Sequence, residues 1–243
     1  AARMKQAGSA TGVVYNWFRC IDGTDHVTGR APMPRVEGYV LHRHLDWNYI
    51  SNGSTPLIRR TALGELRYET ALHQARNQGC EDYLLQLQLS QRTQFALVPA
   101  FLTGYRRLAG SMSTDAAKMI RSHIQVFETL RPALPATARK IVDRRLAQFH
   151  IEYARNRARR AHPAAAGAAA VSALRYAPGT ALAQAVREIC KAATSRPGTR
   201  QSSSAPTWAL QDPFDGRGLE IPDERLRRVE KLAVFDSANV HPE

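Results

Sequence analysis

Cysteine is scarce in this chain: Cys20, Cys80 and Cys190 are three, widely separated and odd in number. That excludes a disulfide framework and paired zinc-ligand spacing, and it fits a reducing compartment. No run approaches the roughly 18 consecutive apolar residues of a membrane-spanning helix. The first residues lack the charged-then-apolar layout of a secretory signal. Lysine is nearly missing as well, with 5 Lys beside 29 Arg. Together with abundant alanine, that skew reflects a GC-rich coding bias rather than selected arginine chemistry. No Asp-x-Asp occurs anywhere, no known nucleic-acid motif is present, and the basic cluster is not interleaved with aromatics.

What is present suffices for a sizeable core: 243 residues, 44% of them hydrophobic. The net charge of +13 is unevenly spread. Residues 1–115 carry 13 basic and 9 acidic side chains, residues 116–160 carry 11 and 3, and residues 161–243 carry 10 and 9. Clustered arginine on a helix is one signature of a module that contacts nucleic acid or an anionic membrane surface. A helix charged on its solvated face is the commoner explanation of the same pattern.

Strand signals cover 11–18, 51–60 and 94–105, the last interrupted by Pro99. Residues 20–38 and 69–79 read as loops. Short helices are expected at 41–50 and 61–68 and a longer one at 80–91. His42, His44 and Asp46 alternate along the first of these, a spacing that converges on a strand but not on a helix, so no metal site is assigned there. From 114 onward the periodicity is helical. Met119, Ile120, Ile124 and Phe127 share one helix, while Val142, Leu146, Phe149 and Tyr153 line the face of the next. Ala-rich helices follow at 164–176 and 179–194, a linker at 195–218, and a last helix at 222–235. The expected division is 1–113, 114–195 and 196–243.

The most informative stretch is Gly79-Cys80-Glu81-Asp82-Tyr83-Leu84-Leu85. Two carboxylates open a helix, where unpaired N–H groups and the helix dipole favour anions. Such residues often serve helix stability alone, but a carboxylate held ionised at a fixed point is also a proton acceptor. Cys80, beside them, reads as a small and partly buried residue. Upstream lies Ser51-Asn52-Gly53-Ser54-Thr55-Pro56, leading into Leu57-Ile58-Arg59-Arg60. Downstream come Phe95-Ala96-Leu97-Val98 and then Gly104-Tyr105-Arg106, followed by Gly110-Ser111-Met112-Ser113.

This ordered set resembles the acceptor-side half of the inverting family 2 glycosyltransferases, and Val13-Val14-Tyr15-Asn16-Trp17 with Ile21-Asp22 is similar to the strand preceding that half. The resemblance spans roughly residues 8 to 130. It implies an α/β fold, a partial GT-A (nucleotide-diphospho-sugar transferase) domain followed by an α-helical C-terminal region. It also implies a bacterial enzyme of cell-surface polysaccharide assembly that moves a sugar from a nucleotide-sugar to a saccharide or lipid-linked acceptor hydroxyl with inversion.

Asp82 would be the general base and Glu81 would orient the acceptor. Asn52, Gly53 and Ser54 would line the acceptor side, Gly53 admitting substrate close to the backbone. Tyr105 and Arg106 would border the donor diphosphate. A divalent cation, Mg or Mn, is expected in an intact enzyme, together with a cytoplasmic location reaching the inner face of the membrane through the basic helices. The chain departs from the family in lacking the Asp-x-Asp that holds this cation. Asp22 and Asp25 are spaced Asp-x-x-Asp in a turn and follow the wrong strand. The expectation is therefore a fragment without its donor-binding half, inactive by itself, with Val13, Val14, Tyr15 and Trp17 left uncovered.

Overall fold

β1 (Thr11–Ile21) forms because Val, Tyr, Trp and Phe crowd an eleven-residue run without proline. In the computed structural model, which describes residues 1–29, 32–74, 77, 79–108, 110–111, 115–194, 221 and 223–238, it is the central strand of a small mixed sheet. The linker expected over 195–218 and the Met112-Ser113 pair lie outside the described residues. β2 (Val27–Gly29) and β3 (Leu57–Ile58) pair with β1 antiparallel, with Ile21 opposite Val27 and Val13 opposite Ile58. β4 (Gln94–Arg106) runs parallel to β1, from Thr11 opposite Gln94 to Ile21 opposite Arg106. Asn16 pairs with Val98 and Trp17 with Phe101, so Pro99 and Ala100 are left over. Proline has no N–H for the ladder, and the strand bulges where the sequence leads one to expect a bend.

Alternation along β1 separates two apolar layers. Val13, Tyr15 and Trp17 join Phe95 and Leu97 of β4, Val36, Val40, Tyr49 and Ile50 of the intervening segment, and Leu85 and Leu89 of α5 (Glu81–Ser90). Val14 and Ala96 face the other way, onto Met4 of α1 (Ala2–Gln6). Trp17 Nε1 donates to Pro34 O at 3.0 Å and the Tyr15 hydroxyl to Val36 O at 2.8 Å, so the polar ends of both rings are satisfied. Each large side chain buried here contributes about 1.5–3 kcal/mol. This corrects the expectation that Val13, Val14, Tyr15 and Trp17 are uncovered: all four are buried, because residues 33–50 and α5 close one face and α1 the other.

Between the strands lie α2 (Leu41–Asp46), α3 (Arg60–Leu63) and α4 (Ala71–Gln74). The strand expected over 51–60 shrinks to two residues, for a reason found in its loop. After β4 come α6 (Ala116–Leu130), α7 (Ala136–Arg159), α8 (Pro163–Tyr176), α9 (Pro178–Thr194) and α10 (Asp223–Ala238).

The chain divides into two units. The first is Ala1–Thr70, Glu81–Ser111 and Ala205–Glu243; the second is Ala71–Cys80 and Met112–Ser204. In the second, Asp115 caps α6 by accepting from Lys118 N at 3.1 Å. Arg131 Nε donates to Asp143 Oδ1 at 2.5 Å, tying the turn after α6 to α7, and Phe127 stacks on Phe149. Ala147, Ala173 and Ala181 meet where α7, α8 and α9 touch, small residues allowing close approach. In the first unit α10 is not a loose end, because it packs on α2.

Candidate functional site

α5 begins where only glycine fits. Gly79 has φ +136°, and a Cβ there would meet Met119 Sδ at 2.8 Å. Glu81 and Asp82 occupy the first turn of α5, and Asp82 Oδ1 accepts from Tyr83 N at 2.7 Å. α5 is buried over most of its circumference, Tyr83 through Leu87 included. Gln86, a polar side chain buried in the middle of this helix, therefore needs partners.

The loop before β3 supplies one. Asn52 Oδ1 accepts from Ser54 N at 2.9 Å and from Thr55 N at 3.1 Å, while its Nδ2 donates to Ile50 O at 3.2 Å. A side chain that captures two successive amides removes them from any strand ladder, so β3 starts only at Leu57. The carbonyl of Asn52 then accepts from Gln86 Nε2 at 3.2 Å, which docks the loop on α5. One turn of α5 earlier, Asp82 lies against Gly53. A Cβ at position 53 would stand 3.2 Å from Asp82 Cβ and 3.4 Å from its Oδ2. The group that approaches the Gly53 backbone is thus Asp82 itself. Asp82, Asn52, Gly53 and Ser54 form one corner.

Burial pushes the Asp82 carboxyl above its ordinary value of 3.8; the Tyr83 amide opposes this and the neighbouring Glu81 charge adds to it. The helix N-terminus favours the anion, and burial outweighs it. Among the described residues no cation pairs with Asp82. The result is a carboxylate of increased basicity, the direction a proton acceptor requires.

α2 backs this corner. His44 Nε2 donates to Gln86 Oε1 at 3.1 Å, and the Tyr83 hydroxyl donates to His44 O at 2.7 Å. Burial holds His44 down at about 4, so it is neutral near pH 7. His42 faces elsewhere: its Nδ1 lies 3.0 Å from Asp236 Oδ1, and its backbone N donates to the same oxygen at 2.7 Å. Arg43 Nε donates to Asp236 Oδ2 at 2.6 Å, and Asp46 lies 3.8 Å from Arg228. Residues two apart on a helix point about 200° apart, so His42, His44 and Asp46 do not converge. Among the described residues no group of three or more His, Cys, Asp or Glu side chains is placed to hold a metal ion.

Tyr105 and Arg106 end β4 beside Cys20 and Ile21. Arg106 donates to Asp22 O at 2.6 Å and to Asp25 Oδ1 at 2.5 Å, while Tyr105 meets Phe18 edge-on. None of these contacts reaches Asp82 or the 52–54 loop. Asp22 is occupied too, because its Oδ1 accepts from Thr24 N, Thr24 Oγ1 and His26 N, which holds its carboxyl below the usual range.

In the second unit the structure brings His123 to Cys80, with Nδ1 at 3.3 Å from Sγ, a pairing sequence spacing does not suggest. His123 Nδ1 lies 2.9 Å from Met119 O, and burial lowers its basicity. Several arginines of α7 are engaged within the unit, Arg145 over Phe149 and Arg157 over Tyr153. Among the described residues no helix is long and apolar enough to cross a membrane. No protein-family model, no curated protein and no solved structure matches this chain.

Proposed function

We propose that this chain supplies the acceptor side of an inverting family 2 glycosyltransferase, with Asp82 as the general base. The observation that carries the reading is the placement of Asp82. It lies in the first turn of α5, against the Gly53 backbone, without a cationic partner among the described residues and with its basicity raised by burial. In the reaction, an acceptor oxygen forms a bond to the anomeric carbon while the bond from that carbon to the nucleotide diphosphate breaks on the opposite face. The acceptor proton passes to Asp82 and the diphosphate leaves with the bonding electrons. Glu81 beside it keeps the local potential negative and favours a hydroxyl over an anionic group. Asn52 and Gln86 fix the loop that carries Gly53 and Ser54.

The resemblance also implies Mg or Mn on the donor diphosphate. The acidic residues present do not fit it, since Asp22 and Asp25 are engaged by Thr24, His26 and Arg106. No step through a cation is therefore assigned to this chain.

The test joins the chain to a family 2 donor-binding half and measures sugar transfer. Asp82→Asn should lower turnover by at least about a hundredfold with donor affinity kept, because only proton removal is lost. Glu81→Gln should cost less. Near-normal turnover in Asp82→Asn overturns the reading.

A further inference from the structure

The second unit carries a feature that the glycosyltransferase reading does not use. Its segments, Ala71–Cys80 and Met112–Ser204, hold 17 basic and 5 acidic side chains, a balance of +12, against 17 and 16 in the rest of the chain. On α9 the underside is filled, with Ala181 packed against Ala147 of α7 and Ala173 of α8. An adjoining face carries Leu182, Val186 and Ile189, which are 61%, 60% and 69% exposed. Their spacing of four and three places them in one stripe along the helix. Val171 and Leu174 of α8 are also exposed, and Arg175 and Arg187 stand exposed next to the two apolar sets. An apolar stripe of this kind, kept in water on a monomer, marks a docking surface.

We infer that α9 docks the second unit on an anionic lipid surface, lying in the interface with Leu182, Val186 and Ile189 turned into the acyl boundary. The charge of the unit selects this occupant. A second copy brings another balance of +12 and is repelled. A nucleic acid neutralises the arginines but leaves the stripe in water. A bilayer with anionic headgroups meets both requirements, since apolar area and basic charge together set the affinity of interfacial helices. The inference stands whether or not Asp82 is a catalytic base.

The experiment is co-sedimentation of the whole chain with phosphatidylcholine vesicles, with and without phosphatidylglycerol, at low and high salt. The expected result is binding that requires phosphatidylglycerol, weakens with salt, and falls at least about tenfold in Leu182→Ser/Val186→Ser/Ile189→Ser. Those three side chains are exposed, so the variant should keep its circular dichroism and its unfolding midpoint. Arg159→Gln/Arg160→Gln, also at exposed positions, should weaken binding to the anionic vesicles without creating binding to neutral ones. Full binding by the serine variant overturns the inference, as does failure of the parent chain to bind anionic vesicles. Salt-dependent binding to generic DNA that the serine substitutions leave unchanged assigns the charge to nucleic acid instead. Self-association abolished by the same substitutions assigns the stripe to a second copy.

Discussion

Asp82 and Asp236 are two carboxylates drawn out of water in the same unit, and the protein treats them differently. Asp236, on α10, is fully engaged: the backbone N of His42 and the Arg43 guanidinium donate to it, and the His42 ring lies beside it. Phe235 meets the His42 ring, and Arg225 stacks over Trp47. This is a clasp that holds α10 to α2. Asp82, on α5, accepts from the Tyr83 amide, lies against Gly53, and is pushed toward its neutral form. A buried carboxylate that is satisfied holds a fold together. One left short of donors costs stability and gains basicity. α2 separates the two environments, with His42 turned to the clasp and His44 to the Asp82 corner.

The comparison sharpens under acid. His44 has a value of about 4 against an ordinary 6.5. Between these the unfolded chain takes up a proton that the native corner refuses. The contribution is fully present above pH 6.5 and is lost as pH falls toward 4, about 3 kcal/mol in all. Unfolding followed from pH 7 to 4 should show that slope in the parent chain and a shallower one in His44→Gln, the remainder including His123, whose shift has the same sign. Equal slopes would mean that His44 is wetter than its packing implies.

Gln86→Leu comes next in size. It removes the partners of His44 Nε2 and of the Asn52 carbonyl. Two buried polar groups left short should cost about 2 kcal/mol by urea unfolding, with no loosening of the α10 clasp. Gly53→Ala is the mildest. Its methyl would press on Asp82 at 3.2 Å, so the carboxylate must shift by a few tenths of an ångström, and a loss of about 1 kcal/mol is expected. Stability above the parent's would show that the corner has room.

Much of this architecture is legible in the sequence, and its failures are instructive. β1, α5, the bend at Pro99 and the helices from 116 onward follow from residue type and period, because each rests on neighbours close in sequence. The strand expected over 51–60 fails because Asn52 competes for the amides of its own loop. The burial of Val13, Tyr15 and Trp17 depends on residues 33–50, which read as turns and a short helix and give no sign of which sheet face they cover. The clasp joins residues 194 apart, beyond the reach of any periodicity. In the candidate site, Asp82 and Gly53 stand out by type and order, whereas Gln86 reads as one more helix residue until the Asn52 carbonyl appears beside it.

The most direct measurement is the unfolding free energy of Asp82→Asn beside that of Asp236→Asn, taken on the chain as it stands near pH 7. The folded Asp82 carboxyl is raised above 3.8, so its contribution to stability falls as pH rises through the window above that value, and a neutral amide escapes the loss. Asp82→Asn should therefore equal or exceed the parent in stability, while Asp236→Asn should lose about 3 kcal/mol by leaving Arg43 without its charge partner. A loss in Asp82→Asn as large as that in Asp236→Asn would show that both carboxylates serve the fold, and would contradict the account.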